Sequence, residues 1–534
     1  MTEIAATLTA PIRSAAAVPT WRGRFRGHPW LTLLAVALGV MMVALDGTVV
    51  SVANPTIQRD LHSTLAGLQW VTNGYLLALA VLLIPGGKLG DRFGRRAVFS
   101  VGIIGFALAS LGCALSDSIG MLVAFRVVQG VSGAMLMPNT LAILRATFPQ
   151  EKLTQAVGIW GATSALAVAS GPIIGGLLVQ RVSWESIFLL NLPLGAIALA
   201  TTLAVVRESR ETGKRERFDL AGLLALTAGL SLIVWALIKA QSHAWTSAYV
   251  IGFGLAGVIC LTLFVLREWR AGAPMLPIDI FRSRSVSTGT LLVIIGFIGL
   301  FGVLFFITLY LQNVHHYSAI QTGVKMLPLT ATFIVSPLLG SALTQKLGPR
   351  PPVVIGMALL GASFLGLTGL EVHSAYSALW PWFVGIGLAL GLIITSTTQA
   401  IVGNVSIDRG GIAGGLQSTA NQLGGVLGTS VLGSILVSSV GSVLATKLGQ
   451  AGVHGTTAAA VLAHKDIVGS GIAPITATMP HHLQQAITTA SNAAFLHGLH
   501  AAMIVAAALA LLGAILGLLV QGGTNVQPGH AAVA

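Results

Sequence analysis

The sequence predicts an all-α polytopic membrane protein, and three observations support this fold class. Of its 534 residues, 54% are hydrophobic and 8% are charged, whereas soluble globular proteins carry roughly 25% charged residues. The hydrophobic residues lie in uncharged blocks of about 20, the length needed to cross roughly 30 Å of hydrocarbon. The basic residues fall in short loops between these blocks. The composition therefore excludes a water-soluble protein and indicates contact with a lipid bilayer.

Fourteen hydrophobic blocks follow one another, each bounded by charge, Pro or Gly. We predict transmembrane helices at 31–54, 68–87, 97–116, 119–144, 153–178, 185–206, 218–239, 248–266, 286–311, 322–344, 352–370, 378–402, 412–440 and 498–521. If the N-terminus is cytoplasmic, most of the 29 Lys and Arg residues lie in cytoplasmic loops, as the positive-inside rule requires. We therefore expect both termini in the cytoplasm.

Several classes of protein are excluded by the sequence. It contains no G-x-x-x-x-G-K-[ST], H-E-x-x-H or G-x-S-x-G motif, so it predicts neither an ATP-driven pump nor an enzyme. The sequence has no basic patch with interleaved aromatic residues, so it does not indicate binding of nucleic acid. Cys113 and Cys260 lie inside hydrophobic blocks, and the histidines are irregularly spaced, so we expect no metal site and no cofactor. A carrier driven by an ion gradient, a channel or a receptor remains.

Two charged residues, Asp46 in span 1 and Arg126 in span 4, lie deep inside the predicted helices. At 1.5 Å per residue they lie roughly 12 and 10 Å from the same membrane edge. Charges at this depth indicate function, although a salt bridge that only fastens span 1 to span 4 is the alternative. Low dielectric favours a protonated carboxylate and a nearby cation favours an ionised one. Asp46 is thus suited to exchange Arg126 for a proton as a cavity opens to either side.

The turn between spans 2 and 3 carries a motif, which reads Gly87-Lys88-Leu89-Gly90-Asp91-Arg92-Phe93-Gly94-Arg95-Arg96. It resembles the G-x-L-x-D-R-x-G-R-R/K signature of the major facilitator superfamily and so implies the major facilitator fold. Glycines permit a tight turn, Asp91 can sit on a helix N-terminus, and the arginines can face helix C-termini. The resemblance implies a conformational latch between two halves, formed by Gly87, Asp91, Arg92, Gly94, Arg95 and Arg96.

A partial copy of this turn, Gln345 to Arg350, follows span 10 and indicates an internal repeat. Spans 1 to 6 and 9 to 14 then form the two repeated halves, a 6 + 2 + 6 arrangement in which spans 7 and 8 are inserted. The predicted segments are a cytoplasmic N-terminal tail, a six-helix half, a linker with two extra helices, and a six-helix half containing a large flexible extracytoplasmic loop at 441–497. These four segments are 1–30, 31–206, 207–285 and 286–534.

Three further stretches narrow the resemblance to fourteen-span drug:proton antiporters. The stretch Leu45 to Pro55 resembles their L-D-x-T-I-V-N-V-A-L-P signature, with departures at Ser51 and Asn54. The run from Arg126 to Gly130, with Gly133, is similar to R-x-x-Q-G-x-G, whose Arg is associated with proton coupling. The G-P-x-x-G-G antiporter motif of exporters is matched at Gly171, Pro172, Gly175 and Gly176. Simple tight packing would require the same small residues.

Polar residues within the spans are candidates for lining a substrate cavity. They are Asn73, Gln129, Gln399, Gln417 and Asn421. Hydrogen bonding between helices explains such amides equally well, and Tyr75 is interpreted as an anchor at the membrane interface. The near absence of a second buried carboxylate favours neutral or weakly acidic amphipathic substrates.

The resemblance implies a proton-coupled antiporter in a bacterial-type plasma membrane. It would export drugs or other amphipathic small molecules by alternating access, with protons and substrate as its small-molecule partners, and we expect a monomer. Alternatives are a symporter, a lipid or metabolite exporter, or a transporter-like membrane receptor that keeps the fold without coupling.

Overall fold

The computed structural model describes residues 26–210, 219–271, 274–405, 410–476 and 478–522. Within these ranges, fourteen helices are long and apolar enough to cross a membrane, which confirms the predicted fold class. Most of the predicted N-terminal tail, 1–30, lies outside the described residues. The same is true of 211–218 and 272–273 in the predicted linker.

The first six spans are built from seven helices, because the sixth span is split between Leu189 and Asn191. The helices are α1 (Pro29–Asp60), α2 (Leu65–Phe93), α3 (Arg95–Ala114), α4 (Ile119–Thr147), α5 (Gln150–Arg181), α6 (Ser186–Leu189) and α7 (Asn191–Val205). Thr64 begins α2 by accepting a hydrogen bond from Gly67 N, the usual role of an N-cap residue. Several helices extend beyond the predicted spans, since hydropathy marks only the part that suits hydrocarbon.

The remaining spans follow in chain order. The two helices predicted to be inserted between the halves, called the inserted pair, are α8 (Leu220–Lys239) and α9 (Ala248–Arg270). The later spans are α10 (Arg284–Leu309), α11 (Ala319–Lys325) with α12 (Leu327–Leu347), α13 (Arg350–Leu367), α14 (Trp380–Val402), α15 (Gly410–Gln450) and α18 (His481–Gly517). A π-helical turn, Tyr310–Val314, ends α10. Short 3-10 helices precede α10 and α14, at Ile278–Arg282 and Tyr376–Ala378.

The predicted flexible loop at 441–497 is wrong in extent and in character. Helix α15 continues to Gln450 and α18 already begins at His481. Between them lie two short helices, α16 (Gly455–Ala463) and α17 (Lys465–Val468). Val453, Val461 and Val468 in this segment are buried in the hydrophobic core. The Ala, Thr and Gly content suggested flexibility, but a few valines are enough to pack the segment against the ends of the spans.

The two halves meet mainly along α2 and α15. Asn73 on α2 donates to Ser430 Oγ (2.9 Å), and Gln69 donates to the Thr429 carbonyl oxygen (2.9 Å). We call the end of the molecule that the charge distribution predicts to be extracytoplasmic the outer end. There Gln312 Nε2 donates to the Val52 carbonyl oxygen (2.9 Å), and Gln58 Nε2 donates to Ser470 Oγ (2.8 Å). The outer ends of the halves are therefore joined.

The inserted helices lie against one side of the α2–α15 contact. Gln241, just after α8, donates to Gln69 Oε1, and Trp235 packs on Trp70 with ring centroids 5.7 Å apart. Helix α9 packs on α8 and exposes apolar side chains such as Val258 and Leu263. The pair is thus tied to both halves through α8, while α9 presents a surface suited to lipid.

The inner ends of α8 and α9 are joined by a partly buried ion pair. Asp219 accepts hydrogen bonds from Gly222 N (2.9 Å) and from Arg267 Nε (3.0 Å). Burial acts to raise the pKa of Asp219, but these hydrogen bonds and the arginine charge outweigh it and lower that pKa. Asp219 therefore caps α8 and holds α9 to it in the ionised form.

Candidate functional site

The two deep charges form an ion pair. Arg126 Nη1 donates to Asp46 Oδ2, and the side chains are 1% and 0% exposed. Arg126 also donates to Gln129 Oε1 (2.8 Å) and to the Val71 carbonyl oxygen (3.1 Å). The arginine therefore links α4 to α1 and α2 in a region buried from bulk solvent, through charge-assisted hydrogen bonds, which are the strong ones.

The second oxygen of Asp46 is held by two amides. Its Oδ1 accepts from Gln129 Nε2 (2.9 Å) and from Asn191 Nδ2 (3.1 Å). Ser110 Oγ accepts from the same two amides, at 2.7 and 3.1 Å. Ser110 and Asn191 were not predicted from the sequence. Asn191 was a usable signal, because it is a polar residue within six residues of the start of the predicted span 185–206.

An aromatic surface covers the guanidinium of Arg126. Its central carbon lies 4.2 Å from the ring centroid of Tyr75 and 5.8 Å from that of Phe188, distances that suit cation–π attraction. Tyr75 is 1% exposed, and its hydroxyl donates to the Val43 carbonyl oxygen (2.8 Å). The interpretation of Tyr75 as an interface anchor is wrong, because this hydrogen bond satisfies its hydroxyl inside the core.

A small cavity adjoins Arg126 at the contact between the halves. Its volume is about 10 Å³, about enough for one water molecule. Helices α1 and α2 line it from one half, and α10 and α15 from the other, through residues that include Ser51, Thr72, Phe305 and Thr429. The ion pair thus lies beside the surface where the two halves meet.

The five amides predicted to line a substrate cavity lie in different surroundings. Asn73 and Gln129 are 0% exposed and hydrogen bonded to neighbouring helices, as in the interhelical alternative. Gln417 donates to Thr398 Oγ1. Gln399 and Asn421 are half-buried, and Asn421 Oδ1 has no hydrogen-bond partner in the described part of the chain. Their part in substrate binding stays a prediction.

The motif between spans 2 and 3 forms a tight turn. Helix α2 ends at Phe93, Gly94 adopts φ +107°, and α3 begins at Arg95. That backbone conformation favours glycine. Asp91 pairs with Arg95 across the turn at 2.7 Å, and so its ion pair stays inside one half. Arg92 is exposed and lies over the Phe93 ring, while Gly87 faces Pro138 of α4.

The N-terminus of α3 is capped by a residue outside the motif. Glu208 accepts from Arg96 N (3.0 Å) and Ala97 N (3.1 Å), where a carboxylate is favourable next to the helix dipole. Asp91 does not take this place at α3, because its carboxylate is paired with Arg95; its role as a latch stays a prediction. Arg96 donates to the Leu203 carbonyl oxygen (3.0 Å) in the last turn of α7, as expected for an arginine at a helix C-terminus.

The G-P-x-x-G-G stretch brings α5 against two helices. A Cβ on Gly171 would collide with Thr48, and one on Gly175 would lie 2.8 Å from the Val49 carbonyl oxygen. Gly176 lies against the Ala319 carbonyl group, and Gly323 lies against that of Pro172. The motif therefore packs α5 onto α1 of its own half and onto α11 of the other half.

The described residues hold no group of three or more His, Cys, Asp or Glu side chains arranged to bind a metal ion. The geometry instead consists of a shielded ion pair at the boundary of two helical halves, with glycine contacts that close the outer end. Such an arrangement is typical of membrane carriers built from repeats.

The Major Facilitator Superfamily profile matches residues 36–429, and the chain belongs to this family of transporters. It is a multi-pass protein of the bacterial cell membrane. The chain is 44% identical over 493 residues to the "Tetracenomycin C resistance and export protein" of Streptomyces glaucescens, covering 92% of each chain. It is 36% identical to the "Multidrug resistance protein Stp" of Mycobacterium tuberculosis (strain ATCC 25618 / H37Rv), covering 79% of this chain and 78% of that protein.

A solved structure shares the fold. The bacterial homolog of the human lysosomal transporter Spinster, in an inward-facing and occupied conformation, aligns with a TM-score of 0.60 and 18% identity. The alignment covers 91% of this chain and 96% of that one. The family predicted from the motifs is confirmed by the profile and the relatives, and this structure shows the same fold.

Proposed function

We propose that this protein is a proton-coupled antiporter that exports drugs or other amphipathic small molecules across the plasma membrane by alternating access. The observation that carries the proposal is the buried Asp46–Arg126 ion pair. A carboxylate held by an arginine inside a membrane protein must exchange that partner for a proton if the two helices separate, because an unpaired buried charge is costly.

The position of the pair supports coupling to the movement of the halves. The cavity beside Arg126 is lined from both halves, so a separation along this surface would admit water to the pair. Protonation of Asp46 would then favour one arrangement of the halves and ionisation the other, which is the differential interaction that a coupled transition requires.

The outer ends are closed in this conformation, which supports alternating access. Helix α5 contacts α11 through Gly176 and Gly323, and Gln180 accepts a hydrogen bond from Ile320 N (3.1 Å). Near the inner end of α5, a Cβ on Gly158 or Gly161 would meet nothing within 4 Å. We infer that this is the state in which the central region communicates with the cytoplasm.

The substrate class is inferred from the relatives and from the charges. Proteins named for resistance to or export of tetracenomycin C, puromycin and methylenomycin A are 34–44% identical to this chain. In the membrane-spanning part that the structure describes, the carboxylate of Asp46 is already paired with Arg126 and is not free to bind a cationic substrate. A neutral or weakly acidic amphipathic molecule suits such a site better than a dication.

The test is export from proteoliposomes with an imposed pH gradient, with these three antibiotics as trial substrates. Asp46→Asn should abolish substrate-dependent proton movement and proton-driven export, because the amide keeps the shape and cannot titrate. Asp60→Asn is the matched control, an exposed aspartate on the same helix, and it should behave like the wild type. Undiminished coupled export by Asp46→Asn would overturn the proposal.

The same assay separates the alternatives. A symporter would move protons in the same direction as the substrate. A metabolite or lipid exporter would transport none of the antibiotics while still moving protons with its own cargo. A receptor would bind a ligand without moving protons at all.

A further inference from the structure

A second cavity lies at the outer end, apart from the ion pair. Its volume is about 840 Å³, within the range of roughly 300–1,000 Å³ that small-molecule sites occupy. Helices α1 and α5 line it from one half, and the π-helical turn, α18 and residues 471–473 line it from the other. Pro55, its innermost residue on α1, lies nine positions beyond Asp46, roughly 13 Å along the helix. We call this space the outer cavity.

An unpaired amide lies in the wall of the outer cavity. Asn492 on α18 is 8% exposed, and none of the residues that the structure describes forms a hydrogen bond with its side-chain amide. The amide of Asn492 opens into the cavity and not into the protein interior, so it is free to bond to a molecule bound there. Because Asn492 lines the cavity, a bound molecule can supply the missing partner.

Two more amides present acceptors to the same space. Gln312 Nε2 donates to the Val52 carbonyl oxygen (2.9 Å), and Asn313 Nδ2 donates to the Ser470 carbonyl oxygen (2.8 Å). Both side chains line the cavity, and their amide oxygens remain available to a hydroxyl or phenol donor. These bonds fix the orientation of the amides, so the acceptors are positioned before a ligand arrives.

The charge of the outer cavity is positive. Arg59 lines it, and the described lining contains no Asp or Glu. The Arg59 guanidinium donates to the Pro55 carbonyl oxygen and to Thr56 Oγ1, each at 3.3 Å, and forms no ion pair among the described residues. The ring of Tyr317 and the apolar side chains of Val179 and Ile472 complete the wall. This combination favours an aromatic ligand that is neutral or anionic.

We propose that the outer cavity is a binding site for a neutral or singly anionic aromatic amphiphile that arrives from the extracytoplasmic side. Arg59 and Asn492 make the principal polar contacts, and Val179 and Ile472 provide the apolar contact for the ring. Because both halves line the cavity, a bound ligand holds the outer end closed and slows export. The slowing rests on the proposed alternating access, whereas the binding does not.

Binding is tested with 8-anilinonaphthalene-1-sulfonate, an aromatic anion whose fluorescence rises in apolar surroundings. The full chain in lipid nanodiscs is titrated, with empty nanodiscs subtracted. Arg59→Gln and Asn492→Leu should each weaken binding at least fivefold, and Arg59→Lys should retain most of it. Arg181→Gln is the matched control, because this exposed arginine lies at the outer end of α5 outside the cavity lining. It should stay within twofold of the wild type.

Three outcomes would overturn the binding site. The first is unchanged affinity for the anion in both cavity variants, and the second is an equal loss of affinity in Arg181→Gln, which would indicate surface charge alone. The third is an equal loss of affinity for the cationic probe rhodamine 6G in Arg59→Gln. The Asp46→Asn protein should bind the anion as the wild type does, so a failure of proton coupling is distinguishable from a failure of this site.

The effect on export is measured separately in proteoliposomes. The anion added on the extracytoplasmic side should slow export at least threefold in the wild type and have little effect on Arg59→Gln. Equal slowing in both proteins would overturn the proposed regulation.

Discussion

Gly176 of α5 and Ala319 of α11 meet so closely that a Cβ on the glycine would collide with the alanine carbonyl oxygen. Gly323 of α11 lies in the same way against Pro172. The exporter motif of span 5 is therefore part of the contact between the two halves at the outer end. Its glycines set how tightly this end can close.

Enlarging Gly176 should open the outer end. Overpacking costs about 1–3 kcal/mol, which shifts a two-state equilibrium about 5- to 150-fold toward the state without the contact. Val52→Cys, in a chain with Cys113→Ala and Cys260→Ala, reports the change, because Val52 is buried at the outer contact. Gly176→Val should raise its rate of labelling by a membrane-impermeant maleimide at least fivefold.

Gly158→Val is the control for this measurement. Gly158 lies on the same helix, and a Cβ there would meet nothing within 4 Å, so labelling should not change. If Gly176→Val labels as slowly as the parent protein, the glycine contact does not hold the outer end closed.

Replacing Asn191 should impair transport although it is absent from the motifs. Asn191 donates to Asp46 Oδ1 and to Ser110, and a hydrogen bond to a charged group contributes about 1.5–3 kcal/mol. Asn191→Leu should therefore lower proton-driven export about tenfold at equal protein amount in the membrane. Thr201→Val on the same helix, whose hydroxyl bonds only to carbonyl oxygens of α7, should have no effect. Normal export by Asn191→Leu would show that this hydrogen bond is dispensable for coupling.

Acid should weaken the outer end through His315. Burial lowers the pKa of His315 below its usual 6.5, and the nearby His373, Lys325 and His316 lower it further. Its Nε2 is buried without a hydrogen-bond partner in the described part, and its ring stacks on Tyr317 at 5.3 Å. As pH falls below 6.5, the unfolded chain takes up this proton first, so stability is complete above that pH and is lost as pH falls through the lowered pKa.

The apparent melting temperature of the purified protein between about pH 7 and pH 5 measures this loss. His315→Phe keeps the stacking and cannot titrate, so the decline of melting temperature with acid should be smaller than in the wild type. His481→Gln, an exposed histidine at the start of α18, should leave the decline unchanged. Identical declines in wild type and His315→Phe would assign the acid sensitivity elsewhere.

In the inserted pair, the residue that contacts the halves should matter for stability, whereas substitutions along the helices should not alter the substrate range. Gln241 bonds to Gln69, which in turn bonds to the Thr429 carbonyl oxygen. Gln241→Leu leaves a buried acceptor unpaired and should lower stability by about 1–3 kcal/mol. Conservative substitutions at 220–236 and 250–264, such as Leu255→Val on the exposed face of α9, should leave the substrate range unchanged.

A resistance profile over several drug classes, normalised to protein in the membrane, measures the range, and melting temperature measures the stability. A selective change for some drugs in the α9 variants would mean that the inserted pair lines the pathway. The prediction that spans 7 and 8 stand apart from the transport core would then be wrong.

The architecture and the central charges could be predicted because membrane insertion makes local demands on sequence. Each span must be apolar over about 20 residues, and a charge within it is rare enough to stand out. The same reasoning placed Asp46 and Arg126 at one depth before their contact was visible. It failed for the 441–497 segment, where the packing of a few valines and not composition decides order.

The sequence by itself determined the number of spans, the family, the two deep charges and the motif of the turn at Gly94, because each depends on residues close together in the chain. Only the tertiary structure decided that Asn191 and Ser110 complete the shell of Asp46, that Glu208 caps α3, and that Arg59 and Asn492 face one cavity. Those groups are ordinary in their local sequence. They acquire a role when helices distant in sequence pack together and bury polar atoms that must then find partners.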